Sequence, residues 1–274
     1  MKHFDGRVAA ITGAASGIGR ALAIDLASRG AHLALCDVDE AGLAETVVAC
    51  EGHPVKVTSQ RVDVADRAAV FAWADQVVAD HGKVNLIFNN AGVALGATVE
   101  GMSYEDLEWL MGINFWGVVH GTKAFLPHLR ASGEGHIINL SSVFGLLSIP
   151  TQSAYNAAKF AVRGFTDALR MELEIDGAPV SVTTVHPGGI NTNIAKNARM
   201  DESVGELGGE DTAETFQKLL RTSPEKAAKQ ILSAVEGDRR RALIGPDAKV
   251  IDLISRLPAG LYQRVLVAGA KRRR

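Results

Sequence analysis

Cysteine is nearly absent from this chain: Cys36 and Cys50 are the only two in 274 residues. Two cysteines do not make the disulfide framework of a small secreted domain, and Cys36 falls in an apolar run that reads as a core strand. Charge of one sign is lacking too. Lys plus Arg number 29 against 31 Asp plus Glu, a formal net charge of −2, which gives no electrostatic case for nucleic-acid binding. No apolar run reaches the length that spans a bilayer. Met1-Lys2-His3-Phe4-Asp5 leads straight into the first apolar run, so no secretory leader is expected and a cytoplasmic location is. Internal repeats and long low-complexity linkers are missing, and no metal site is expected. What the chain does have is apolar residues, at 47%. A chain of this size can bury about three quarters of its unfolded surface.

Those apolar residues fall in short runs that alternate with helical patterns. Strands are expected at Arg7–Thr12, Ala31–Cys36, near 55–61, at Val84–Phe88, His136–Leu140, Val180–Val185 and Arg241–Gly245. Helices are expected from Arg20, near 40–51, near 66–81, from about Tyr104 to Arg130 and near 153–176. Alternation of this kind makes an α/β fold, a doubly wound parallel sheet with helices on both faces. Its crossovers should be right-handed, and its ligands should bind at the C-terminal ends of the strands.

One pattern carries proton chemistry. Tyr155 and Lys159 stand four residues apart, and Ser142 precedes the tyrosine by thirteen. On a helix, i and i+4 share a face. A lysine ammonium beside a phenol favours phenolate and is expected to lower the tyrosine pKa. Tyrosine nearer neutrality can act as general base or acid, while the Ser142 hydroxyl can hold a carbonyl or alkoxide oxygen. Alone, the Tyr/Lys pair occurs on many solvated helices.

The other end of the chain supplies a context. Gly13-Ala14-Ala15-Ser16-Gly17-Ile18-Gly19 lies between the first strand and the first helix. Strand, glycine turn and helix is what a dinucleotide site requires: glycines permit a tight turn, and the helix N-terminus offers free N–H groups to a pyrophosphate. The spacing is Gly-x-x-x-Gly-x-Gly rather than the commoner Gly-x-Gly-x-x-Gly. Asp37 ends the second strand eighteen residues past Gly19, close to where a carboxylate grips adenine ribose hydroxyls. The same carboxylate repels a 2′-phosphate, and neither Ala15 nor Val38 offers a cation for one. NAD is therefore expected over NADP.

Together these motifs resemble the short-chain dehydrogenase/reductases, in their compact single-domain branch, over roughly residues 5–246. The resemblance implies a Rossmann-type sheet and extends to further motifs. Asp63-Val64 is similar to the acid that caps the adenine ring and its neighbour. Asn89-Asn90-Ala91-Gly92 resembles the signature after the fourth strand, and Pro187-Gly188-Gly189-Ile190-Asn191-Thr192 the turn that holds the nicotinamide carboxamide. Asn114, 41 residues before Tyr155, stands where the family places a fourth catalytic residue. By resemblance, the cofactor residues are Gly13, Ser16, Gly17, Ile18, Gly19, Asp37, Asp63, Val64, Asn90, Ala91, Gly92, Tyr155, Lys159, Pro187, Gly188, Ile190 and Thr192. Lys159 would bind the nicotinamide ribose and depress the Tyr155 pKa, and cationic oxidised nicotinamide would lower it further. Tyr155 would take the alcohol proton, Ser142 would fix the substrate oxygen, and Asn114 would anchor a water that carries the proton on from Lys159. A homo-dimer or homo-tetramer through the helices near 104–130 and 153–176 is implied as well.

Residues 188–223 break the alternation, and a loop this long in a compact domain is usually functional. It is expected to be a lid over nicotinamide and substrate. Leu95, Phe144 and Ile149 are pocket candidates, along with Val93, Leu146 and Leu147. Ile194, Met200, Leu207 and Phe216 are candidates to close over them. Few charges lie nearby, which argues for a lipophilic secondary alcohol or ketone. His186 reads as a packed histidine at a strand end. The catalytic domain is expected to span 1–246, and 247–274 to be a helical extension interrupted by Pro258 and ending Lys271-Arg272-Arg273-Arg274. Such a stretch can pack on a neighbouring subunit, line the substrate entrance or lie on an anionic membrane, the last being the weaker expectation. Two other classes compete with a dehydrogenase: an NAD-binding redox sensor with little turnover, and a lipid-surface-associated protein. A sugar-nucleotide epimerase of the longer branch fits less well, because a large C-terminal substrate domain is missing.

Overall fold

In a computed structural model, residues 1–194, 197–206 and 222–271 are described. Seven strands form one parallel sheet: β1 (Val8–Thr12), β2 (His32–Asp37), β3 (Val57–Arg61), β4 (Leu86–Asn89), β6 (Gly135–Leu140), β7 (Val180–Pro187) and β9 (Arg241–Ile244). Their order is β3-β2-β1-β4-β6-β7-β9. β1 pairs with both β2 and β4, so the strand order reverses at β1. Open α/β sheets bind ligands in the crevice at such a switch point.

Period-two alternation gives each strand two apolar faces. Ala9, Ile11, Leu33 and Leu35 pack under α1 (Gly17–Ser28) and α8 (Pro224–Glu236), against Leu22, Leu26, Ile231 and Val235. Val8, Ala10, Ala34 and Cys36 face the other way. There they meet Trp73 of α3 (Arg67–His81), Phe125 of α5 (Gly117–Ala131) and Leu173 of α6 (Ser153–Ile175). Trp73 and Phe125 meet edge to face at 5.1 Å. Each large apolar side chain buried this way contributes about 1.5–3 kcal/mol.

Local chemistry sets the helix ends. Asp39 caps α2 (Glu40–Cys50), Asp66 caps α3 and Ser103 caps α4 (Tyr104–Met111), each accepting a backbone N–H. Losing such a cap costs about 1 kcal/mol. Gly82, at φ 77°, ends α3 in the left-handed conformation that glycine adopts at no steric cost.

The expected alternation holds within a few residues. The stretch expected as one helix from Tyr104 to Arg130 is instead α4, a π-helical segment at Gly112–Trp116 and α5. Two further features lie beyond the sequence reading. One is α8; the other is a two-stranded parallel pair, β5 (Leu95–Gly96) with β8 (Arg199–Met200). Of the expected lid, Leu207 and Phe216 lie outside the described residues. The described part holds β8, α7 (Ser203–Glu206) and a bridge from Ile190 to Thr222. After β9 come α9 (Pro246–Ser255) and α10 (Ala259–Lys271), separated around Pro258. Among the described residues no helix is long and apolar enough to cross a membrane.

Candidate active site

The glycine-rich turn follows β1 directly. Gly13 has φ +66°, and a Cβ there would sit 2.8 Å from the Ala91 Cα. A Cβ on Gly19 would overlap the Gly13 carbonyl oxygen. Asn90 clamps this turn from β4: its Nδ2 donates to the carbonyls of Thr12 at 2.9 Å and Gly13 at 3.0 Å. The Thr12 hydroxyl accepts from the Asn90 and Ala91 N–H groups, both at 3.0 Å. Ser16 occupies the N-cap of α1 in an extended conformation, and no side chain caps the helix. First-turn N–H groups therefore remain for an anion. Ile18 packs on the core behind the turn. Thr192 reaches over from the far side, its Cγ2 3.1 Å from where a Gly17 Cβ would be. An uncapped helix start and a turn with no room for a Cβ at Gly13 and Gly19, at the sheet's switch point, fit a dinucleotide.

Asp37 sits at the tip of β2. Its Oδ2 accepts from the Ala15 N–H at 2.9 Å, and its Oδ1 from the N–H groups of Val38 at 2.7 Å and Asp39 at 3.1 Å. A carboxylate has about four acceptor sites, so one stays open on Oδ2. Arg61 stands opposite Asp37 in the β2–β3 register. Arg20 is committed elsewhere, to Glu45 at 2.8 Å and the Gly42 carbonyl at 3.0 Å. Asp63 is exposed and folds back on the Ala65 N–H. Val64 is buried, and its carbonyl faces His120 Nδ1 at 3.1 Å.

Tyr155, Lys159, Ser142 and Asn114 converge past the ends of β4 and β6. Helix α6 puts Lys159 Nζ 5.5 Å from the Tyr155 ring centroid. Lys159 is buried and donates to the Leu140 carbonyl at 3.1 Å, leaving donors free. Ser142 heads the 3₁₀ turn Val143–Gly145, accepts from the Phe144 N–H at 3.1 Å, and its hydroxyl favours the ionised form of Tyr155. Behind it, His186 Nδ1–H donates to the Ser142 carbonyl at 2.8 Å. His186 is fully buried, and burial brings its pKa down to about 4. It is a packed, neutral histidine, in keeping with the sequence reading.

One expectation changes here. The lysine was to lower the tyrosine pKa. Burial instead dominates both groups: the half-buried phenol is pushed up to about 12 although the Ser142 hydroxyl acts to lower it, and Lys159 down to about 8. A cation lowers a neighbouring acid's pKa only as far as it stays charged, and Lys159 is itself desolvated. The Asn114 side chain, fully buried in the π segment, bonds twice to Val93: Oδ1 accepts the N–H at 2.8 Å and Nδ2 donates to the carbonyl at 2.9 Å. It fixes the loop after Gly92. A Cβ on Gly92 would lie 3.2 Å from Asn114 Oδ1 and 3.6 Å from Lys159 Nζ.

The turn after β7 is held from far along the chain. Gly188 N–H bonds the Ile244 carbonyl at 2.9 Å, and Pro187 pairs with Ile244 in the sheet. Gly189 N–H donates to Asp247 Oδ2 at 2.6 Å. A Cβ on Gly188 would overlap that carboxylate. Buried Ile190 bridges to Thr222. Sequence reasoning misses Asp247 because Gly245-Pro246-Asp247 reads as an ordinary helix start.

The pocket candidates separate into two groups. Leu146 and Leu147 are core. Half-buried Phe144 meets the Tyr155 ring edge to face at 6.1 Å. Leu95 and Val93 cluster with Tyr155. Half-buried Ile149 is tied by its N–H to Asn156 Oδ1 at 3.2 Å. Ile194 is half-buried, and exposed Met200 lies against Gly96. The arrangement pairs a phenol with an ammonium, a hydroxyl and an apolar wall, a set suited to proton exchange at a carbinol oxygen.

Comparison with known proteins places this geometry. The family described as short chain dehydrogenase matches residues 7–203. SadH of Mycobacterium tuberculosis is 51% identical over 273 residues, which cover 98% of this chain and 97% of its own. The 3-ketodihydrosphingosine reductase of Bacteroides thetaiotaomicron is 35% identical over 77% of this chain and 73% of its own. A short chain dehydrogenase/reductase from Burkholderia phymatum, solved in complex with NAD, superposes with a TM-score of 0.87 at 34% identity over 96% of both chains. The chain belongs to the short-chain dehydrogenase/reductase family, as an oxidoreductase that works with a nicotinamide cofactor.

Proposed function

We propose that the chain is an NAD-dependent dehydrogenase that interconverts a lipophilic secondary alcohol and its ketone, with Tyr155 as the acid/base. One observation carries this reading: the Tyr155 ring lies 5.5 Å from Lys159 Nζ, with the Ser142 hydroxyl acting on its phenol and an apolar wall beside it. When bound, the nicotinamide supplies the hydride acceptor or donor. The residues that would hold it are the Gly13–Gly19 turn and Asp37 at the adenosine end, with Asp63 and Val64 at the adenine. Asn90, Ala91, Gly92 and Lys159 serve the middle, and Pro187, Gly188, Ile190 and Thr192 the carboxamide.

Tyr155 with a pKa near 12 is fully protonated at neutral pH. It is ready to give a proton to a carbonyl oxygen held by Ser142, which suits ketone reduction. For alcohol oxidation, Tyr155 must accept the proton, and a charged Lys159 lowers that cost. Lys159, near 8, can itself pass a proton on. Asp37 supports NAD, since its carboxylate repels a 2′-phosphate. The substrate class rests on Leu95, Phe144 and Ile149 and on the 3-ketodihydrosphingosine reductase relative, whose named substrate is a long-chain ketone. A dimer or tetramer through the 104–130 stretch and α6 fits the exposed Trp116 of the π segment and the exposed Phe160 and Met171 of α6.

The test is NADH formation, with NADP alongside, on secondary alcohols graded from short diols to steroids and retinoids, and the reverse reaction on ketones. Turnover with NAD on bulky apolar substrates is expected. Tyr155→Phe should abolish turnover, by a factor of roughly 100 to 10,000 for a lost acid/base, with nucleotide affinity nearly intact. Retained turnover would assign the proton to another group. Preference for NADP would refute the reading of Asp37, and nucleotide binding without turnover would favour a sensor.

A further inference from the structure

Helices α9 and α10 carry an apolar face that no described part of the chain covers. Val250, Leu253 and Leu257 fall at i, i+3 and i+7, the spacing of one helix face, and Leu261 follows across Pro258. All four are exposed, Leu253 at 67% and Val250 at 58%. In α10 every described side chain but the half-buried Tyr262 is exposed. At helical periodicity Leu261, Tyr262, Val265 and Leu266 share one side, and Arg264 and Lys271 the other. A helix shorter than about 12–15 residues is marginal in water on its own. α10 has 13 residues and no acid in its first turn, and it packs on α9. It needs a surface to lie on.

The charges select that surface. From Leu253 onward the sequence holds six basic residues and no Asp or Glu. Arg256 is taken by Asp252 at 2.8 Å. That leaves Arg264, Lys271, Arg272, Arg273 and Arg274 without an acid in their own segment. A second copy of the chain, meeting the same patch across a two-fold axis, would bring like charges together. A helix with an apolar face, a basic opposite face and a basic end is instead the pattern of a helix lying in an anionic lipid interface. Among the described residues no helix spans a membrane, so the contact is with the surface. α9 also touches the 3₁₀ turn that carries Phe144.

We propose that α9 and α10 dock this protein on an anionic bilayer surface. That contact puts the mouth of the candidate pocket beside the phase in which a lipophilic substrate dissolves. The docking itself does not depend on the proposed reaction, and its test reads binding rather than turnover.

Full-length protein is sedimented with vesicles of equimolar phosphatidylcholine and phosphatidylglycerol, and with phosphatidylcholine alone. Arg264 and Lys271 near an anionic surface strengthen binding roughly thirtyfold. Strong binding to the mixed vesicles, weak binding to the neutral ones and release by salt are expected. Two variants at exposed positions separate the contributions: Leu261→Asp with Val265→Asp removes apolar contact, and Arg264→Glu with Lys271→Glu reverses charge. Each should weaken binding at least tenfold while circular dichroism and nucleotide binding stay unchanged. Wild-type protein left in the supernatant overturns the proposal, as does equal binding to both vesicle types. So does a Leu261→Asp/Val265→Asp variant that still sediments with vesicles but shrinks in analytical ultracentrifugation, since a second copy would then cover the face.

Discussion

The two turns that meet where Thr192 approaches Gly17 are held by opposite means. The Gly13–Gly19 turn is fixed by its own glycines and by the Asn90 side-chain amide on two backbone carbonyls. The Pro187–Thr192 turn is held by backbone bonds to Ile244 and Thr222 and by one side chain, Asp247, 58 residues beyond Gly189. A turn of the first kind has no room to adjust. The second kind can be loosened by moving a single side chain. In a cofactor site this makes the adenosine end a rigid anchor and the nicotinamide end adjustable.

The largest effect should come from Gly19→Ala. Its Cβ would overlap the Gly13 carbonyl and stand 2.7 Å from Asn90 Nδ2. Neither the carbonyl nor the clamped amide can move cheaply. Overpacking of this kind costs about 1–3 kcal/mol, occasionally more. A turn displaced by an ångström loses roughly 100-fold in function. Isothermal titration with NAD should show affinity falling by that order, and thermal melting a lower midpoint. Near-normal affinity would mean that the turn is not the rigid partner.

The matching substitution across the site is Gly188→Ala, whose Cβ has the Asp247 carboxylate as its three nearest atoms. A carboxylate can swing aside, so this variant should behave like Asp247→Ala rather than like Gly19→Ala. A hydrogen bond to a charged group contributes about 1.5–3 kcal/mol. Both variants should therefore raise the cofactor KM about tenfold, with little change in melting temperature. Asp247→Asn, which keeps an acceptor oxygen, should fall between them and wild type. A drop in stability without a change in KM would make Asp247 a structural tie only.

The same contrast governs what is legible in the sequence. Tyr155 and Lys159 are readable because a helix places i and i+4 together. The glycine turn is readable because its constraints are a few residues long. Helix α8 was open to reading too, since Ser223-Pro224-Glu225 spells a helix start. Asp247 was not, because its partner is chosen by how β9 lies beside β7. Nor was the π segment at Gly112–Trp116, where Asn114 turns inward to Val93. The protonation of the Tyr155/Lys159 pair depends on enclosure by side chains such as Val93, Leu95 and Phe144, which come from two segments far apart in sequence. Spacing locates a titratable pair, but burial sets its pKa.

The smallest effect is a pH dependence confined to the adjustable side. His186 precedes the Pro187 turn and is held neutral by burial, at about 4 against an ordinary 6.5. Above pH 6.5 neither folded nor unfolded chain protonates it, and its contribution to stability is complete. Between 6.5 and 4 the unfolded chain takes up a proton that the folded chain refuses, so stability falls as pH falls. The limit is one proton, about 1.4 kcal/mol per pH unit. His136, near 3 and bonded to Thr183, adds a similar loss further along its strand. His186→Asn keeps a donor for the Ser142 carbonyl and removes the titration. Urea unfolding from pH 7 to pH 4 should give this variant a shallower decline than wild type, by up to one proton. Identical slopes would mean that the site hydrates and protonates without unfolding, and the turn after β7 would then be looser than its ties to Ile244, Thr222 and Asp247 imply.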